Sequence, residues 1–128
     1  ATSKVKYVLI SPIFGQVTSR FDYGFKHFGT DIAVPINSPV KSIAKGVVVL
    51  AEWTVQTGYV IVIEHAYGLT SVYKHNDSGL ISQGDLVESG QVIALSGNTG
   101  ELTTGPHLHF ELWREGIPVN PENYVSFE

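Results

Sequence analysis

The chain has 128 residues, 43% of them hydrophobic and 16% charged, no cysteine, and a formal net charge of −4 with neutral histidines. That length suits one domain spanning residues 1–128, and the acidic balance argues against a nucleic-acid partner, which needs a basic face. The lack of cysteine excludes a disulfide framework and a thiolate metal site, so a metal has to be held by His, Asp or Glu.

In chain order, the first notable pattern is "HFGTD", His27 to Asp31, followed by "IAVP". Glycine and the nearby proline disfavour a helix, so this reads as a loop leading into a strand, with Gly29 letting the backbone bend so that His27 and Asp31 converge. Six β-rich runs follow: Pro39–Ile43, Gly46–Glu52, Gly58–His65, Leu69–His75, Gln91–Ser96 and His107–Arg114. Tyr59 to Ile63 is almost continuously apolar and predicts a strand buried on both faces. Ala66-Tyr67-Gly68 then turns the chain, with Gly68 supplying a positive φ. "SQGDLVESGQVIALSG" holds two glycine-centred turns around a short apolar strand, and "GIPVNPENYVSFE" reads as a closing tail packed on the body. No window shows a capped 3.6-residue period, and no apolar run approaches the roughly 20 residues that span a bilayer. The expected fold is all-β, a sheet core of short, mostly antiparallel strands.

Five histidines are candidates for chemistry: His27, His65, His75, His107 and His109. Alternation along a strand puts His107 and His109 on one face and Leu108 on the other, in the core. The glycine-rich "GNTGELTTGP" before them holds the strand entry rigidly. "YKH" places Tyr73 and His75 two apart, which on a regular strand gives them a common face. His65, at a strand end, reads as structural or solvated. His27 and Asp31 are an imidazole and a carboxylate, both common zinc ligands, although the H-x-x-x-D spacing alone is a weak signal.

Taken together, "HFGTD" with "IAVP", "GVVVLA", "GYVIVIEH", "YKH", "GDLVESGQVIALSGNTG" and "TGPHLHFEL" resemble the lysostaphin/LytM-type zinc metallopeptidases, which cut peptides of bacterial peptidoglycan. The match runs from Pro12 to Trp113 in the family's order and leaves 114–128 as a tail. Its wording is similar to Gram-negative, Bacteroidetes-like members. The resemblance implies an antiparallel sheet with a narrow groove roofed by loops, Zn2+ as cofactor, and peptidoglycan peptides as substrate in the cell envelope, periplasmic or secreted. It implies His27, Asp31 and His109 as zinc ligands, and His75 and His107 as the catalytic pair beside the metal. One departure stands out: "SRFDYGFKH" lacks the arginine that many relatives carry before the first ligand, and Phe21 or Tyr23 stands in that region. Trp53, Tyr23, Asn98 and Thr104 are candidate groove residues.

The mechanism has a physical basis apart from the resemblance. A catalytic zinc keeps three protein ligands and one open position. The sequence has no H-E-x-x-H glutamate, so histidine is the available proton acceptor. Two other readings compete: a non-catalytic wall-binding or amidase-activating module of the same fold, and a lipoyl- or biotinyl-type carrier. The carrier needs a lysine on an exposed hairpin, and Lys74 is the only lysine after Lys45. The start at Ala1 and the absence of methionine point to a processed protein or excised domain, with any upstream regulatory segment out of view.

Overall fold

The computed structural model describes residues 7–99 and 105–128. Among the described residues ten strands form one sheet: β1 (Gln16–Ser19), β2 (Thr30–Ala33), β3 (Pro39–Lys41), β4 (Gly46–Thr54), β5 (Gly58–Glu64), β6 (Leu69–Gly79), β7 (Leu86–Val87), β8 (Val92–Ser96), β9 (His107–Arg114) and β10 (Ile117–Val119). Neighbours run β1-β2-β9-β6-β5-β4-β7, with β10 on β9 and β8 joining β3 to β6. Every pairing is antiparallel. The all-β expectation holds, and the described residues contain two 3₁₀ turns, Ala66–Gly68 and Pro121–Asn123, and no α-helix.

Each of the six expected runs contains a strand, and β9 has the expected bounds. Two are longer than expected, β4 and β6, whereas β1, β7 and β10 are short segments without a distinguishing apolar pattern. The glycine after the β5 end behaves as expected, with Gly68 at φ 74°. Tyr67 beside it is also left-handed, at φ 61°.

Side-chain alternation builds the core. On β9, Leu108, Phe110 and Leu112 are fully buried, and they meet Ile32, Ile61, Ile63, Leu69 and Tyr73 from neighbouring strands. Ile61 and Ile63 of β5 lie in this cluster and Val60 is also buried, whereas Tyr59 and Val62 are only half-covered. The closing segment packs as expected: Val125 and Phe127 enter the core, and the Phe127 ring meets Phe110 edge-on at 5.9 Å.

The expected common face of Tyr73 and His75 is corrected by the structure. Between the Tyr73–Ile61 and Asn76–Tyr59 pairings, β6 places two residues, Lys74 and His75, where β5 places one, Val60. The extra residue is a bulge, and His75 sits in it at φ 69°, its N–H donating to the Thr57 carbonyl at 2.8 Å. Tyr73 therefore points into the core, fully buried, while the bulge turns His75 to the opposite side, next to Lys74.

His65 is structural. Its Nδ1 donates to the Lys45 carbonyl at 2.9 Å, and its Nε2 lies 2.7 Å from Ser71 Oγ, which is 2.9 Å from the Tyr73 hydroxyl. The Ile43 N–H donates to that hydroxyl at 3.2 Å. Burial raises Tyr73 to about 12 and keeps it neutral. Burial also lowers the His65 pKa, and the Lys45 carbonyl only partly opposes this. The folded state then takes up a proton less readily than the unfolded chain, whose histidine titrates near 6.5. Stability from this source is complete above that pH and is lost as pH falls from there through the lower folded-state value. Urea unfolding of the wild type and of His65→Gln at pH 7.5 and pH 5 should show the wild-type midpoint falling further on acidification.

Candidate functional site

The central strand β9 lies between β2 and β6, and its cleft-side residues meet partners from both. Register places Asp31 of β2 directly opposite His109, and Lys74 of β6 opposite His109 on the other side. Directly opposed side chains on an antiparallel pair are near neighbours, and Asp31 Oδ1 lies 2.6 Å from His109 Nδ1. His107 faces Ala33, whose small side chain leaves room beside Asp31. The resulting open cleft, about 460 Å3, is lined by all five of His27, Asp31, His75, His107 and His109, together with Gln56, Thr57 and Lys74.

His27 arrives from outside the regular sheet. Backbone bonds between Asp22 and His27, 2.8 and 2.9 Å, close a tight loop whose residue Lys26 is left-handed at φ 60°. The His27 Nδ1–H donates to the Arg20 carbonyl at 2.8 Å, so Nε2 turns to Asp31 Oδ2 at 3.3 Å. One donor atom from each of His27, Asp31 and His109 falls within 4.8 Å of the others. Asp31 belongs to a strand rather than to the expected loop, and this fixes its place opposite His109.

Gly29 has a different job from the one expected. Its φ is not left-handed; instead a Cβ there would lie 2.7 Å from both His109 Nε2 and the Phe110 carbonyl. The bare backbone lets the 27–31 segment lie against β9.

The charges reinforce one another. Burial works to raise the Asp31 pKa, but the hydrogen bond to His109 and the nearby imidazoles outweigh it and hold it below the usual carboxylate range. Burial alone would lower His109, yet its bonds to Asp31 and Glu111 reverse that and raise it. Glu111 is likewise pushed up by burial, and His109 and Lys74 bring it down to about 2.

Two imidazoles and a carboxylate are a donor set that suits zinc. Both imidazoles are oriented through their second nitrogen, on the Arg20 carbonyl and the Glu111 carboxylate, as metal-binding histidines usually are. Among the described residues no further His, Cys, Asp or Glu joins the set, and three protein ligands are the number a catalytic zinc would take. The set therefore fits the ion.

His75 and His107 stand beside it with ring centroids 4.9 Å apart. Each anchors Nδ1 on a carbonyl at 2.7 Å, Thr99 for His75 and Gly105 for His107. That leaves each Nε2 as a proton acceptor facing the cleft, and His107 Nε2 is 3.9 Å from Asp31 Oδ1. Burial lowers the His75 pKa; the Thr99 carbonyl opposes it and the neighbouring imidazoles add to it. Neutral His75 is thus the favoured form at neutral pH.

Four further residues line the cleft, Ser19, Gln56, Thr57 and Lys74, and none carries a sequence signal for it. Glu111, bonded to His109 behind the lining, is legible in the sequence, because it continues the two-residue period of His107 and His109. The expected groove residues fare differently. Tyr23, Trp53 and Asn98 are not in the cleft lining; Tyr23 packs edge-on against Phe28 at 5.4 Å, and Trp53 is exposed on β4 opposite Tyr59. Phe21 does not line the cleft either. Thr104 lies outside the described residues.

The sequence pattern of peptidase family M23 matches residues 25–121. The peptidoglycan DD-endopeptidase ShyA of Vibrio cholerae is 46% identical over 94 residues, 73% of this chain and 22% of that protein. The murein hydrolase activator EnvC of Escherichia coli is 42% identical over 98 residues, 77% of this chain and 23% of that protein. Among solved structures, a zinc-containing peptidase from Vibrio cholerae matches with a TM-score of 0.79 at 39% identity, covering 86% of this chain and 37% of that one. This chain thus spans about a quarter of the length of these curated relatives. The expected placement among Bacteroidetes-like members finds no support in these matches.

The close approach at Gly29 has a measurable consequence. Gly29→Ala should destabilise the fold by about 1–3 kcal/mol, the usual range for overpacking, and should weaken zinc binding by displacing His109. Urea unfolding and zinc titration check the two effects separately.

Proposed function

The chain belongs to peptidase family M23, and on that premise we propose that it is a zinc-dependent endopeptidase hydrolysing peptide bonds of bacterial peptidoglycan, stem or crossbridge, in the periplasm or outside the cell. The observation that carries this reading is the convergence of His27, Asp31 and His109 on one point, with two further histidines fixed beside it. Zinc, when bound, supplies Lewis acidity that activates water and polarises a peptide carbonyl. The protein supplies the proton handling. His75 and His107 hold Nε2 towards the cleft as acceptors. One takes the proton of the attacking water on its Nε2 and, as the imidazolium so formed, gives it to the departing amine; the other, in its protonated form, donates from Nε2 to the developing oxyanion. Their backbone anchors prevent the rings from turning away, so the geometry is set before the substrate arrives.

A non-catalytic activator is the competing reading, and the printed name of the Escherichia coli relative raises it. The complete donor set and the paired imidazoles favour the peptidase, because an activator has no need of either. The carrier reading has no support: Lys74, its candidate lysine, is bound to Glu111 inside the cleft at 3.0 Å rather than displayed on a hairpin. No helix among the described residues is long and apolar enough to cross a membrane.

Digestion of purified peptidoglycan, with mass analysis of the released muropeptides and metal analysis of each variant, tests the assignment. His109→Ala should lose both zinc and activity. His75→Ala and His107→Ala should keep zinc and lose activity by about 10²–10⁴-fold, the range for a general acid or base. Full zinc content and full activity in His109→Ala would overturn the reading. Loss of zinc in His107→Ala would make that residue a ligand instead.

A further inference from the structure

The cleft face of β9 does not end with its two histidines. His107, His109, Glu111 and Trp113 share it at every second position, while Leu108, Phe110 and Leu112 fill the core. Glu111 is only 7% exposed, and its carboxylate is engaged at both oxygens. Oε2 lies 2.8 Å from His109 Nε2 and accepts from Lys74 Nζ at 3.0 Å; Oε1 accepts from the Trp113 indole N–H at 2.8 Å. A buried carboxylate demands such partners, and the lysine and the indole can act only as donors.

Both nitrogens of His109 face carboxylate oxygens, Nδ1 at 2.6 Å from Asp31 and Nε2 at 2.8 Å from Glu111. A bare lone pair towards either would be repulsive, so an ion replaces the proton on one side and the other nitrogen keeps its own. Asp31 belongs to the cluster of donor atoms with His27 and His109, and Glu111 does not. An ion shared with Asp31 therefore takes the Nδ1 side, and the proton stays on Nε2 against Glu111. In His27 the roles are reversed, with Nδ1 anchored and Nε2 turned inward. His109 is thus the one cleft histidine oriented by an ionised side chain rather than by a backbone carbonyl.

We infer that Glu111 is a positioning residue of the metal site: it holds the Nε2 proton of His109 and so commits Nδ1 to the ion, while Lys74 and Trp113 hold the carboxylate in place. Lys74 has a second effect. It offsets the carboxylate's charge beside the cleft, so that the orientation of His109 does not add an uncompensated negative charge next to the metal. This inference rests on the zinc reading above. A purely structural Glu111, serving only as the buried partner of Lys74, would leave the imidazole tautomer and the zinc affinity unmoved.

The test compares the wild type with Glu111→Gln, Glu111→Ala and His109→Ala, measuring the zinc Kd by competition with a chelator at neutral pH. Long-range 1H–15N NMR of the imidazoles reports which nitrogen of His109 carries the proton. Glu111→Ala should raise the zinc Kd about 10–100-fold, the usual cost of losing such an outer partner, and should mix the His109 tautomers. Glu111→Gln keeps a carbonyl oxygen for Nε2, so it should preserve the tautomer and weaken zinc binding less. If His109→Ala retains zinc, the metal reading fails and the inference with it. If His109→Ala loses zinc while both Glu111 variants stay within about twofold of the wild type, far short of that usual cost, the positioning role alone is overturned. Should Glu111→Ala fail to fold, as judged by circular dichroism, Glu111→Leu, which keeps the volume and offers Nε2 no acceptor, takes its place under the same limit.

Discussion

The contact between Asp31 and His109 is the interaction on which the rest of the site depends. It joins two adjacent strands at opposed positions, so the sheet register itself sets the separation at 2.6 Å. A shift of one residue in that pairing would turn every side chain of one strand to the other face. Such a slip is prevented from below, because Ile32, Leu108 and Phe110 are completely buried on the reverse side of the same strands. Hydrophobic packing and cleft geometry are therefore two faces of one register.

Around that contact the histidines are held by different means. His27, His75 and His107 each rest Nδ1 on a main-chain carbonyl, which ties ring orientation to backbone position. His109 alone is held from its Nε2 side by a buried carboxylate. The difference follows from location. The first three lie in loops, in a bulge or at a strand start, where nearby carbonyls are free of the ladder. His109 lies within β9 between two paired strands, where the ladder already uses the carbonyls and a side chain has to do the anchoring.

Two departures from regular backbone make the cleft possible. The bulge at His75 lets a single strand send Tyr73 into the core and His75 into the cleft, a split that a regular strand with period two forbids. At Gly29 the missing side chain lets the 27–31 segment lie against His109. Left-handed residues cost free energy, and His75 has both a backbone bond to Thr57 and a ring bond to Thr99 to hold it there.

Much of this was legible from residue order. Alternation in "HLHFELW" separates core from cleft without coordinates, and the absence of cysteine limits the donors to His, Asp and Glu. The same period contains Glu111. Lys74 could not be read this way, because its role depends on which strand lies beside β9. The bulge was equally hidden, since an extra residue shows only when a partner strand is counted against it. Which nitrogen each imidazole presents is likewise a matter of long-range contacts, such as Thr99 to His75 and Arg20 to His27. Periodicity acts along one chain segment and is written in the sequence; register and hydrogen-bond partnership join distant segments and arise only when the sheet closes.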